Sequence, residues 1–291
     1  MPELSEAEHE EAERRGSLRA DVVHEAIRKE GEDELRRSSS ALAWSGLAAG
    51  LSMGFSLVAE GLIRSHLPDA PWRPLIAKFG YSVGYLIVIL GRQQLFTENT
   101  LTVILPLLAR RDGRTLLQVL RLWSVVLIFN LLGVHIFAWV IGNSTVFSPL
   151  VRTTFGEIGR EAIVGSFWTI LLKGVFAGWL IALMVWLLPA ADSARVPIII
   201  IITFLVGLAG LSHIIAGSLE ALYIVMTGEL AWLTFVSSYL VPTLIGNILG
   251  GVTLVAMINH AQVVAGTDDK SGSKSKADTP MKQESATGKA E

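Results

Sequence analysis

The chain has 291 residues, of which 51% are hydrophobic, with a formal charge of -2 and no cysteine. Its mean hydropathy of +0.51 is high for a soluble protein, and its charges gather in residues 1–40 and in the tail from about 262. Disulfides and thiolate metal sites are excluded, and the apolar middle points to a membrane rather than an aqueous fold.

The first forty residues are polar, with acidic runs such as Glu10-Glu11 and Glu13, and read as a cytoplasmic arm without a cleavable leader. Within it Leu18, Val22, Val23, Ala26 and Ile27 form a weak helical stripe, which predicts a helix over 18–36 lying along the inner membrane face. Six apolar stretches follow, at approximately 41–63, 75–109, 117–141, 165–189, 195–226 and 236–259. A hydrocarbon core of about 30 Å takes about 20 helical residues. The second and fifth stretches are too long for one straight helix. Each is interrupted by a polar segment holding glycine, 91–100 in one and 211–218 in the other. Freed backbone groups find no water in hydrocarbon, so such breaks survive only where protein or an aqueous path surrounds them. Paired breaks in two half-chains point to a substrate site at mid-membrane. From Gly266 the Ser, Lys, Gly and Asp mixture cannot bury a core, so the tail 261–291 is expected to be disordered.

Basic residues set the expected orientation. Arg14, Arg15, Arg19, Arg28, Lys29, Arg36, Arg37, Arg110, Arg111, Arg114, Arg195 and the tail lysines fall on one side. Only Arg64, Arg73, Lys78, Arg152 and Arg160 fall on the other, which places both termini in the cytoplasm. Trp44, Trp123 and Trp186 near inner ends, with Trp72, Trp139, Trp168 and Trp232 near outer ends, fit the aromatic belts of a bilayer.

A constant offset lays Gly61 on Gly178, Phe96 on His213, Asn130 on Asn247 and Gly133 on Gly250. Each half, about 41–141 and 165–259, holds three spans, so the second half enters the membrane inverted. The expected fold is an all-α membrane protein of six transmembrane helices in two inverted three-helix repeats, with helices 2 and 5 broken. Glycines four apart (46, 50 and 54; 174 and 178; 246 and 250) provide ridges for close helix contact.

The segment Leu95-Phe96-Thr97, the Asn130-Leu131-Leu132-Gly133 run, His213 in the second break, and residues 241–251 together resemble the formate/nitrite transporter family over about 40–260. The resemblance implies an aquaporin-like protomer, a homopentamer in the bilayer of a bacterial cytoplasmic (inner) membrane, and one permeation path per protomer. It implies passage of small monovalent anions or their neutral conjugate acids: formate, nitrite, hydrosulfide, acetate or lactate. No cofactor and no nucleic-acid partner are implied. Carried over by position, Phe96 with Leu95 forms a hydrophobic constriction, Thr97 lies beside it, His213 faces the mid-pore and hydrogen-bonds Thr97, and Asn130 and Asn247 border the path. Plain packing for Phe96, helix capping for Thr97 and a structural role for His213 are the alternatives.

The chain departs from that pattern. Gly217 and Gly178 stand where the family usually has asparagine, and Ala162 stands where it has a lysine that attracts anions, with Arg160 two residues away as a substitute. Lys173 would cost about 2.5–3.5 kcal/mol at mid-bilayer if unpaired, so it is expected to pair with Glu220 or Glu98 next to the path. Glu60 is placed close enough to the outer end of span 1 to reach headgroups. An enzyme is not expected: His135 and His213 lie in different halves and no His-Glu-x-x-His occurs. The alternative function is a non-conducting or differently selective relative, acting as a scaffold or passing a neutral solute.

Overall fold

The computed structural model describes residues 19–263 and 265, so the leading acidic runs and the lysine-bearing tail lie outside the described residues. Among those described, helices and their connections account for the whole fold. The stripe in the arm forms α1 (Ala20–Arg36). There follow α2 (Ser39–His66), α3 (Arg73–Leu90), α4 (Asn99–Arg110), α5 (Gly113–Asn143) and α6 (Pro149–Ala162). The rest of the chain gives α7 (Phe167–Leu187), α8 (Arg195–Leu208), α9 (Ala216–Met226) and α10 (Trp232–Val263). Side chains of Ser38, Asp112, Ser148 and Ser166 accept backbone N–H groups at the starts of α2, α5, α6 and α7, the capping that frees a helix entrance from orphan donors.

Five helices, α2, α3, α5, α7 and α10, are long and apolar enough to cross a membrane. The fifth apolar stretch comes as two pieces, as its interruption predicts. With 14 and 11 residues, α8 and α9 rise about 21 and 16 Å, each short of a roughly 30 Å core.

The bundle is built from two close pairs, α2 on α5 and α7 on α10. Glycine makes both contacts possible. A Cβ on Gly50 would lie 2.2 Å from the Asn130 carbonyl oxygen, and one on Gly178 would lie 2.3 Å from the Asn247 carbonyl oxygen. The outer surface is apolar, with Trp44, Phe55, Leu117, Ile128, Trp139, Leu172 and Phe176 all exposed, as a lipid-facing bundle requires. The arm helix is not loose: Gly31 sits against the Thr102 carbonyl, Arg110 donates to Glu32 at 2.9 Å, and His24 Nε2 lies 3.0 Å from His260 Nδ1 near the end of α10.

Within α10 the helix widens into π turns at Val236–Leu240 and Gly250–Met257. Pro242 follows the first; it has no N–H to give and its ring crowds the preceding turn, so the extra residue absorbs the mismatch. That turn carries Tyr239, which is 1% exposed, into the interior.

Candidate functional site

Both breaks form where expected, between α3 and α4 and between α8 and α9, and both are held by one asparagine. Asn130 on α5 accepts from the Phe96 N–H at 2.9 Å and donates from Nδ2 to the carbonyls of Gly46 and Gln94, each at 2.8 Å. Asn247 on α10 accepts from the Ile214 N–H at 2.9 Å and donates to the carbonyls of Gly174 and Ser212, each at 2.9 Å. Each amide thus fills backbone groups that the interruption strips of their helical partners, and it also ties the break to a neighbouring helix. These two asparagines hold the backbone in place.

The two breaks meet at Thr97 and His213, whose Oγ1 and Nε2 are 2.9 Å apart. Neither residue is exposed at all. His213 Nδ1 accepts from the N–H groups of Ile215 and Ala216 at 3.2 Å each, so its lone pair is occupied. In the neutral ring the proton therefore sits on Nε2 and is donated to Thr97 Oγ1. The Thr97 hydroxyl hydrogen is left to point at whatever occupies the space beside it. The ring itself is fixed by the edge of Tyr85, 5.2 Å away between centroids, and the His213 carbonyl accepts from the Tyr239 hydroxyl at 3.3 Å. Leu95 and Phe96 are buried on the α4 side, with Phe96 packed edge-on to Trp123.

Two cavities lie in the same bundle, neither of them lined by Thr97 or His213 themselves. One, of about 230 Å³, is lined by Glu60, Arg64, Asp69, Arg73, Lys78 and Glu161. The other, of about 170 Å³, is lined by Glu30 and Glu34 from the arm helix together with Arg92, Gln94, Glu98 and Arg195. Burial pushes the Glu34 carboxyl up, against the pull of the adjacent Arg37 guanidinium. At the opposite end burial acts the same way on Glu161, but its paired hydrogen bonds from Arg64 (2.7 and 2.8 Å) outweigh it and hold that carboxyl below the usual range.

Several expected roles are corrected by these positions. Lys173 does not reach Glu98 or Glu220: its Nζ donates to the Val164 carbonyl at 3.3 Å, turning back along α7 to the loop before it. Glu60 does not reach headgroups; it is wholly buried, and its Oε1 lies 2.5 Å from the Lys78 ammonium. Arg160 is no substitute for a lysine in the cavity, because Glu229 pairs with it on a separate surface pocket. Ala162 ends α6. Gly178 is a helix contact rather than a gap in a path. Gly217 is filled from outside, since a Cβ there would lie 1.7 Å from the Tyr239 hydroxyl oxygen.

The sequence reading does not single out Lys78, Tyr81, Tyr85 or Tyr239 for the candidate site. Tyr85 donates to the Tyr81 hydroxyl at 3.2 Å, and Lys78, Tyr81, Tyr85 and Tyr239 all lie within electrostatic reach of Glu220. The available signal was a lone acid, Glu60, and a lone base, Lys78, near the same end of successive apolar stretches.

Two interrupted spans, tied back by buried amides and touching through a buried polar pair, define a membrane protein of the channel and transporter class. Residues 21–261 match the family model of the formate/nitrite transporters. The chain belongs to the formate/nitrite transporter family. It is 42% identical over 268 residues to the inner membrane protein YfdC of Escherichia coli K12, covering 92% of this chain and 85% of that protein. It is 26% identical over 251 residues to the formate channel BtFdhC of Bacillus thuringiensis, covering 82% and 93%. Its fold matches a solved pentameric formate channel with formate bound at a TM-score of 0.66 and 21% identity, over 78% of this chain and 98% of that one.

Proposed function

We propose that this chain passes a small monovalent anion, or its neutral conjugate acid, between the two cavities by way of the Thr97–His213 contact, with formate and nitrite as the leading substrates. The observation that carries this reading is the 2.9 Å contact between Thr97 and His213 where the two clamped breaks meet. Formate is favoured by two similar proteins, a formate channel and a pentameric formate channel with formate bound. On this reading residues 41–260 form six spans as two inverted repeats, and α1 and the tail lie in the cytoplasm. Five protomers assemble in an inner membrane such as the one in which YfdC is named.

The barrier explains the form in which the substrate crosses. An unpaired carboxylate in a dry constriction costs tens of kcal/mol by idealised solvation arithmetic. Protonating a carboxylate of pKa about 4 at pH 7 costs only about 4 kcal/mol, three units at 1.36 each. The neutral acid is the cheaper passenger, and Thr97 offers it a hydroxyl donor at the narrowest point. Leu95 and Phe96 keep that point free of water.

The test is uptake of labelled formate, nitrite and acetate into proteoliposomes, with empty liposomes subtracted. Thr97→Ala and His213→Ala are expected to change the rate, since both remove the polar pair. Equal uptake by wild type and both variants would remove the pair from the path. A second reading, passage of a neutral solute alone, is favoured by the carboxyls of the buried Glu60 and Glu220 and of the part-buried Glu98. Saturable uptake of a neutral solute with no weak-acid flux would decide for it.

A further inference from the structure

We propose that Glu220 and Glu98, one on each side of the Thr97–His213 contact, are the groups that give a proton to the crossing anion and take it back, and that His213 is not. The inference rests on the transport reading above and deepens it.

His213 is poorly placed for the task. Its Nδ1 lone pair is held by two backbone N–H groups at 3.2 Å, and its Nε2 faces Thr97 at 2.9 Å. Losing the Nε2 proton would leave an imidazolate in a buried site, and gaining one at Nδ1 would set it against two N–H donors. A proton relay needs a group that can change state without breaking its surroundings.

Glu220 meets that condition. It lies on α9, two turns beyond His213, is 8% exposed, and has no ion pair within 4.0 Å among the described residues. The groups facing it are Glu60 from α2, Lys78, Tyr81 and Tyr85 from α3, Glu161 from α6 and Tyr239 from α10. Lys78 is already engaged by Glu60 at 2.5 Å, so one ammonium serves two buried carboxyls and the second must carry a proton or admit a cation. Tyr85, whose ring touches His213, brings this cluster up to the constriction. On the other side Glu98 has one buried carboxyl oxygen, Oε1, without a hydrogen-bond partner. It faces the cavity shared with Glu30 and Glu34 of α1, Arg92 and Arg195.

The step balances with one proton. The Glu220 carboxylic acid O–H bond breaks as the substrate carboxylate takes the proton, leaving Glu220 as carboxylate and the substrate neutral. Beyond the constriction the acid returns that proton to the Glu98 carboxylate and leaves as an anion. Glu98 then releases the proton to water in the cavity it lines, and Glu220 is reloaded by way of Glu60, Lys78 and Glu161, which line the other cavity where Glu220 itself does not. No electron changes hands.

The experiment compares wild type, Glu220→Gln, Glu98→Gln and His213→Ala in proteoliposomes carrying a lumenal pH dye, after each variant is shown to assemble as the wild type does. Formate uptake driven by an acidic exterior should fall by about ten-fold or more in either glutamine variant and lose its dependence on the pH gradient. Formate–formate exchange without a gradient should fall less. His213→Ala should lower both modes in proportion and keep one proton per formate. An infrared pH titration should show protonated-carboxyl signals in the wild type that each glutamine variant loses. The inference is overturned if both glutamine variants keep wild-type gradient dependence, or if His213→Ala alone uncouples proton from formate. Wild-type protein without weak-acid flux would bring down the transport reading, and this inference with it.

Discussion

The two breaks share a skeleton and differ in chemistry. In each, one asparagine accepts from a backbone N–H at 2.9 Å and returns two hydrogen bonds to carbonyls, one of them on a neighbouring helix. At the tip, however, one break offers Leu95, Phe96 and the Thr97 hydroxyl, and the other offers His213. The comparison separates two demands that a single residue could not meet: one residue type holds the chain open in a dry interior, and others are free to differ for selectivity. Their surroundings differ as well. The first break adjoins a cavity walled by the arm helix; the second is touched by the Tyr239 hydroxyl and by the ring of Tyr85, which in turn donates to Tyr81.

The largest expected effect tests whether the skeletons are equivalent. Asn130→Leu and Asn247→Leu each delete three hydrogen bonds and strand buried backbone groups, a loss of about 3–5 kcal/mol. Thermal unfolding in detergent should show both falling by similar amounts; a large fall in only one would mean that the breaks are not held alike. Next come the glycine contacts. Gly50→Ala and Gly178→Ala place a methyl at 2.2 and 2.3 Å from a carbonyl oxygen, which should cost about 1–3 kcal/mol in the same measurement. A smaller effect distinguishes the second break. Gly217→Ala clashes with the Tyr239 hydroxyl, so the double variant with Tyr239→Phe should recover stability lost by the single one; absence of rescue would show that the hydroxyl is not what fills the space.

The smallest effect concerns the first break's cavity wall. Burial, then the neighbouring His260, lowers the pKa of His24 below 6.5. The folded state binds fewer protons there than the unfolded one, so the docking of α1 is fully present above pH 6.5 and weakens as pH falls below it. Hydrogen-exchange protection in α1, corrected for the intrinsic rate at each pH, should fall between pH 7.5 and 5.5, and His24→Phe should flatten that response.

Much of the skeleton was legible in the sequence because it is written in one dimension. Polar segments inside apolar runs betray breaks, and a constant offset brings Asn130 onto Asn247. The helical stripe in the arm likewise foretold α1. The site's charges were harder, because they depend on which helices face each other. Lys173 turns back along its own helix to Val164, whereas Lys78, which the sequence places among the outer-side basic residues at the start of the second stretch, lies on a helix that meets α2 at Glu60. Gly178 and Gly217 looked like missing polar groups. In fact a neighbouring carbonyl and a neighbouring phenol occupy the space that larger side chains would need.

The π turn at Val236–Leu240 acts as a phase shifter. Inserting one residue into a helix rotates everything beyond it by about 100°. Tyr239, which caps the His213 carbonyl, and Asn247, which clamps the break, can therefore both look inwards although the regular spacing of an α-helix would not align them as they stand. Pro242 keeps that offset from annealing away. Replacing it with alanine would let the turn relax to regular pitch, and the phenol and the amide could then no longer be satisfied together.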